Sequence, residues 1–132
     1  MKIERNCEFA HGCDFEVHGS GMLEIGERTY FNRYCMISAH DSVKVGKRCF
    51  FGPGVKIFDN NHKFSKENGV STELSTAPIT IGDHCWIASD VIILKGTTIG
   101  NNCVIGAGCI VQGEILDGTL VKCKQEQELI KL

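Results

Sequence analysis

Five histidines are the side chains of this 132-residue sequence best able to move a proton near neutral pH: His11, His18, His40, His62 and His84. His62 stands apart. It closes the phrase Asp59-Asn60-Asn61-His62, inside a polar stretch that runs from Asp59 to Pro78. A histidine in such a stretch is by default a solvated surface residue, but beside a substrate hydroxyl it is a general base. Eight cysteines raise zinc binding or disulfides instead. No C-x2-C pair occurs, however, and no two histidines are five positions apart, so neither a zinc cage nor a converging histidine set is spelled out. Cys49, Cys85 and Cys103 each precede a large apolar residue by two positions, as Cys13 precedes Phe15. That spacing reads as a column of small, buriable side chains near a corner.

The elements that must position these residues show in a period of six. Apolar side chains recur at Ile25, Phe31 and Ile37, at Val45, Phe51 and Ile57, and at Ile81, Ile87, Ile93, Ile99, Ile105 and Val111. A helix repeats near 3.6 and a half-buried strand at 2, so neither accounts for it. A short strand plus a corner does, with one inward side chain per unit. Three units close a triangular coil of about eighteen residues, and stacked coils make a parallel β-helix. The spacing predicts an all-β fold of about five coils, counted from Phe9 to Val111.

Glycine follows the inward residue at Gly26, Gly46, Gly52, Gly82, Gly100 and Gly106, where a corner needs positive φ or crowds two backbones. The interval from Ile25 to Val45 exceeds one coil, which predicts a small bulge between Ala39 and Ser42. The stretch 59–78 lacks the period and reads as a loop protruding from the helix wall, of the kind that carries function. The expected organisation is a β-helix over 1–115 with the loop 59–78, then a capping tail over 116–132. In that tail Thr119 to Cys123 alternates like a strand, and 125–132 could be a short helix or strand.

Size and charge bound the function. A net charge of −2 gives no reason to expect a nucleic-acid partner. No apolar run is long enough to span a membrane, and MKIERNCEF carries no secretory pattern, so the expected compartment is the cytoplasm.

The phrase Ala77-Pro78-Ile79-Thr80-Ile81-Gly82-Asp83-His84-Cys85-Trp86-Ile87, continued by Val91-Ile92-Ile93-Leu94-Lys95-Gly96 and by Ile105-Gly106-Ala107-Gly108, resembles the hexapeptide-repeat acyltransferases. Within them it is similar to the galactoside, maltose and polysaccharide O-acetyltransferases. The resemblance runs from Leu23 to Ile115 and does not include the N-terminal helical segment common in the sugar-acetylating members. It implies a left-handed β-helix, a homotrimer with sites between subunits, acetyl-CoA as cosubstrate and no metal. By position in the family pattern, His62 matches the catalytic base, and Ser89 is a donor to the developing oxyanion. Asn32 and His40 match acceptor-binding positions. Trp86, Ala88, Ala107 and Gly108 match the wall along which the coenzyme lies. His40 departs from the pattern, since a relative carries an acidic residue there. Gln112-Gly113 and Lys122 to Gln125 replace the usual Thr-Lys and Asn-Pro-Ala phrases, leaving Lys122 and Lys124 as charges for phosphate. The expected activity is acetyl transfer to a hydroxyl of a sugar or polysaccharide precursor. An amino-sugar N-acetyltransferase and a noncatalytic trimeric scaffold are the alternatives, with a zinc hydratase of the γ-carbonic anhydrase kind the least supported.

Overall fold

The computed structural model describes residues 1–132, and every regular element in it is a strand. Three parallel sheets form the faces of a triangular prism. The first face stacks Lys2–Ile3, Met22–Ile25, Ser42–Val45, Ile79–Ile81, Thr98–Ile99 and Glu114–Ile115. The second stacks Glu8–Phe9, Tyr30–Phe31, Phe50–Phe51, Trp86–Ile87, Val104–Ile105 and Leu120–Val121. The third stacks Asp14–Val17, Met36–Ala39, Lys56–Phe58, Ile92–Ile93 and Ile110–Val111. Each residue of the six-period faces its counterpart one coil away: Ile25 with Val45, Phe31 with Phe51, Ile37 with Ile57, Ile81 with Ile99, Ile87 with Ile105, Ile93 with Val111. All twelve are buried and belong to one core. The rings of Phe31 and Phe51 stack at 4.2 Å.

The corners explain the small residues. A methyl group on Gly26 would come within 2.6 Å of the Gly46 backbone one coil away. Gly26 and its stack therefore answer to crowding rather than to positive φ. At the same corner the thiols of Cys49, Cys85 and Cys103 donate to the carbonyls of Gly82, Gly100 and Leu116, each at 3.1 Å. Thr29 makes the equivalent bond to Gly46 at 2.8 Å. Cys13 does not share this column. It donates to Asn32 at a different corner, where Cys35 donates to Gly52. Burial pushes the Cys35 thiol up to about 11, which keeps it a protonated donor.

Three features depart from expectation. The coils number nearly six rather than five, because Lys2–Ile3 pairs below the first expected strand and Glu114–Ile115 and Leu120–Val121 pair above the last. The chain therefore leaves the repeat after Val121, not after Ile115. Residues 122–132 form neither helix nor strand and are exposed.

The stretch 59–78 is not an irregular loop. Asn60–Ser65 and Gly69–Thr76 form an antiparallel hairpin, separate from the three faces. Its turn ends in Asn68-Gly69, with Gly69 at φ +67° and the Ser65 hydroxyl accepting the Asn68 N–H. The bulge expected between Ala39 and Ser42 is a bend at His40-Asp41.

That bend is held from the next coil. The fully buried carboxylate of Asp59 accepts the backbone N–H of His40 at 2.9 Å, that of Asp41 at 2.7 Å, and the side-chain amide of Asn60 at 2.9 Å. One side chain thus ties the bend to the root of the hairpin. Asp59→Ala leaves these donors unpaired and should lower stability by about 2–4 kcal/mol, read by chemical denaturation. A loss below about 0.5 kcal/mol would mean water replaces the carboxylate freely.

Candidate active site

The hairpin sets His62. Its strands pair Asn60 with Thr76, Asn61 with Ser75 and His62 with Leu74, then shift before Phe64 pairs with Val70. Three residues, Ser71 to Glu73, therefore stand opposite Lys63 alone. This bulge turns the Ser71 carbonyl onto the imidazole, which it meets at Nδ1 at 2.9 Å. A carbonyl only accepts, so Nδ1 carries the proton and the neutral ring presents a bare Nε2 outward. His62 is exposed and uses no carboxylate for orientation. Asp59, three residues before it, is committed to the bend.

Five of the other expected site residues share one groove of about 560 Å³ on the second face. They are Asn32, Trp86, Ala88, Ser89 and Ala107. Gly52, Pro53, Val104, Gly106, Leu120 and Lys122 complete the lining. Gly52 and Gly106 carry the same signal as the rest of the repeat, a glycine after an inward residue, and were legible as corners without being legible as a wall. The indole of Trp86 is exposed on the groove. The Ser89 hydroxyl hydrogen-bonds no other residue, while its carbonyl accepts the Gly108 N–H at 2.9 Å. The Asn32 side-chain oxygen accepts the N–H of Arg33, which leaves its NH2 without a partner in the chain.

Two expected residues lie elsewhere. Gly108 is at a corner with φ +74° and open space where a β-carbon would project, outside the lining. His40 sits at the bend beneath the hairpin, its ring stacked on that of His18 at 4.4 Å. His18 in turn meets Glu16 at 3.1 Å. The structure thus groups His40 with the root of the His62 hairpin and Asn32 with the groove, although both were expected at the acceptor. His84 occupies a third location, the corner between the first and second faces. Within one chain His40, His62 and His84 thus occupy three separate places, the bend, the hairpin and this corner.

Within one chain the third face separates the two groupings. The groove reaches the corner at Gly52-Pro53 and Ala88-Ser89, before the strands Lys56–Phe58 and Ile92–Ile93. The hairpin leaves from the opposite end of Lys56–Phe58. The base and the groove belong to neighbouring corners of a rigid prism.

The buried thiols add no nucleophile. The thiols of Cys49 and Cys85 are already spent as donors to the carbonyls of Gly82 and Gly100, and the neighbouring Cys85 together with burial pushes Cys49 far up. Both sulfurs are walled in by the coils.

Known proteins resemble this chain in sequence and in fold. Residues 78–113 match the family model for the bacterial transferase hexapeptide, six repeats. The chain is 38% identical over 93 residues to the galactoside O-acetyltransferase of Escherichia coli, covering 70% of this chain and 46% of that protein. It is 29% identical over 119 residues to a putative lipopolysaccharide biosynthesis O-acetyl transferase of the same organism, covering 83% and 61%. The chain therefore spans about half to three-fifths of the curated relatives it matches.

Among solved structures, a galactoside acetyltransferase in complex with coenzyme A superposes with a TM-score of 0.72 at 31% identity, covering 86% of this chain and 58% of that one. A maltose O-acetyltransferase from Clostridium difficile gives 0.72 at 26%, covering 88% and 61%. The shared architecture is the left-handed parallel β-helix.

The imidazole geometry carries a direct check. Nitrogen NMR of histidine-labelled protein at a pH where His62 is neutral should show a protonated Nδ1 and a bare Nε2. The opposite tautomer would mean that the bond to Ser71 is absent in solution.

Proposed function

The chain belongs to the hexapeptide-repeat transferase family, and on that premise we propose that it is an acetyl-CoA-dependent O-acetyltransferase acting on a hydroxyl of a sugar or polysaccharide precursor. The observation that carries the reading is His62: one imidazole, on a projecting hairpin, with Nδ1 spent on the Ser71 carbonyl and Nε2 free. A general base for an alcohol needs that tautomer. The coenzyme in the related galactoside acetyltransferase supports the choice of donor.

In this reading the groove wall holds the pantetheine arm of acetyl-CoA. Ala88, Gly106 and Ala107 leave the backbone open to it, and Trp86 flanks it. Lys122 at the end of the groove offers a charge toward the phosphates. Nε2 of His62 takes the proton of the acceptor hydroxyl as its oxygen attacks the thioester carbonyl. Ser89 donates to the oxygen that becomes negative. The tetrahedral intermediate collapses with cleavage of the carbon–sulfur bond, and the imidazolium returns its proton to the departing thiolate. The products are the acetyl ester and coenzyme A, and His62 ends neutral. Asn32, a lining residue with a free NH2, orients the acceptor.

Because base and groove are at different corners, the site is completed by a second copy, and a homotrimer is the assembly proposed. His62 of one subunit serves the groove of its neighbour. His40 supports the hairpin rather than the acceptor. Eight free cysteines suit a reducing compartment, which is the cytoplasm in this reading. No helix is long and apolar enough to cross a membrane.

His62→Ala should lower turnover by about 10²- to 10⁴-fold while calorimetry still registers coenzyme A. Full turnover in the variant would remove His62 from the chemistry, and no coenzyme A binding by the unaltered protein would return the chain to a scaffold. Mixing tests the division between subunits. His62→Ala and Ala88→Trp, each inactive alone, should regain about a quarter of the native rate when co-assembled in equal amounts, since half the bases and half the grooves are intact. No recovery from verified mixed assemblies would put base and groove in the same subunit.

A further inference from the structure

The outward side of the second face carries a column that the fold itself does not need. Along its register Glu8, Tyr30, Phe50, Trp86, Val104 and Leu120 are successive cross-strand neighbours. Phe50 is 60% exposed and Trp86 56%. The rings of Tyr30 and Phe50 stand 6.2 Å apart. Two residues before each aromatic comes a basic side chain at the corner: Arg28 before Tyr30, Arg48 before Phe50, His84 before Trp86.

The backbone at that corner makes the arginines conspicuous. Arg28, Arg48 and His84 all hold left-handed conformations, with φ between 54° and 58°. Asn6, Asn102 and Gly118 fill the same corner in other coils, with residue types that adopt it at less cost. Neither arginine is paired with a carboxylate; the chain's ion pairs are Lys2–Glu4, Arg5–Glu27, His18–Glu16 and Lys63–Glu73. Between corner and column lies a second groove, of about 570 Å³, lined by Asn6, Glu8, Arg28, Thr29, Tyr30 and Phe50. Phe50 closes its upper end and is the direct neighbour of Trp86, which lines the groove proposed for acetyl transfer.

We infer that this column is a subsite for an acidic saccharide chain, which runs from the transfer groove at Trp86 over Phe50 and Tyr30, with Arg28 and Arg48 selecting units that carry a carboxylate. The aromatic faces stack on the apolar faces of sugar rings, and planar guanidinium forks pair with carboxylates in two parallel hydrogen bonds. The basic–aromatic pair repeats at each coil, about 4.8 Å apart, which suits a ligand that itself repeats. Glu8 is at the far end and repels a carboxylate there, so the acid-bearing units meet Arg28 and Arg48. Charge decides the occupant. A second copy seated flat on this face would bury two unpaired guanidiniums, whereas an acidic glycan pairs them and leaves water at the rim. The inference rests on the acetyl-transfer reading for the fate of the chain's hydroxyl, but not for the binding itself.

The test is calorimetry on the full-length assembled protein with tetrasaccharides of galacturonate and of hyaluronan, each beside its carboxyl-reduced counterpart. At least one acidic form should bind about tenfold more tightly than its reduced form. The double variant Arg28→Gln/Arg48→Gln should erase that preference, and Phe50→Ala should weaken both forms. Equal affinity for acidic and reduced forms, no binding of either acid, or a preference that survives the double variant would overturn the inference. So would dissociation of the assembly by Phe50→Asp together with no saccharide binding, which would give the face to a second copy. Coenzyme A binding, read separately, tells the two proposals apart. Its persistence without an acid preference sinks only the subsite, and its absence with the preference intact sinks only the transfer reading.

Discussion

Everything in this molecule depends on vertical register. Each strand turns only one side chain of the six-period inward, and that side chain must sit over its counterpart in the coil below. A residue added within a strand would throw the next inward side chain outward. Additions are therefore confined to corners, and the three in this chain, at residues 18–21, at His40-Asp41 and at the hairpin, use the same one. The bend at His40-Asp41 and the hairpin that starts at Asn60 occur in successive coils, between the third and first faces. Asp59 joins them through hydrogen bonds to both. The position of the proposed base is thus a consequence of how the fold accommodates a break in its own repeat.

The corners also solve the problem of buried backbone polarity. Thiols and the Thr29 hydroxyl cap corner carbonyls, while Asp83, Asn101 and Asp117 accept N–H groups from the preceding coil at 2.7–2.8 Å. No buried side-chain nitrogen or oxygen lacks a partner. Cysteine serves here as a small donor to corner carbonyls, which accounts for six of the eight. The result is a stiff prism whose faces cannot bend toward one another.

That stiffness shapes the function proposed. A flexible enzyme can fold its base over its substrate, but this one holds the two at separate corners. The hairpin is an arm rather than a lid, braced by antiparallel pairing and by the bulge that also sets the tautomer of His62. Its exposed Phe64 and Val70 give the arm an apolar tip that suits a neighbour's surface. In the assembly proposed, the second face presents its groove to the neighbour's arm and its basic–aromatic column to the saccharide.

The sequence by itself determined whatever each coil repeats. The inward residues, the glycines at crowded corners and the place where the period breaks are all local signals, reinforced several times along the chain. The phrase from Ala77 to Gly108 was enough to indicate the family. The hairpin was half legible, since Asn68-Gly69 is a turn signal and Val70, Thr72 and Thr76 suit a strand. Only the tertiary structure decided that Ser71 orients His62, that Asp59 is committed to the bend, that His40 stands apart from Asn32, and that Leu120–Val121 continues the coils. Each of these depends on which residue of one strand meets which residue of another. A bulge or a shift of one position changes that meeting without changing the composition of either strand, so no count along the chain could have found it.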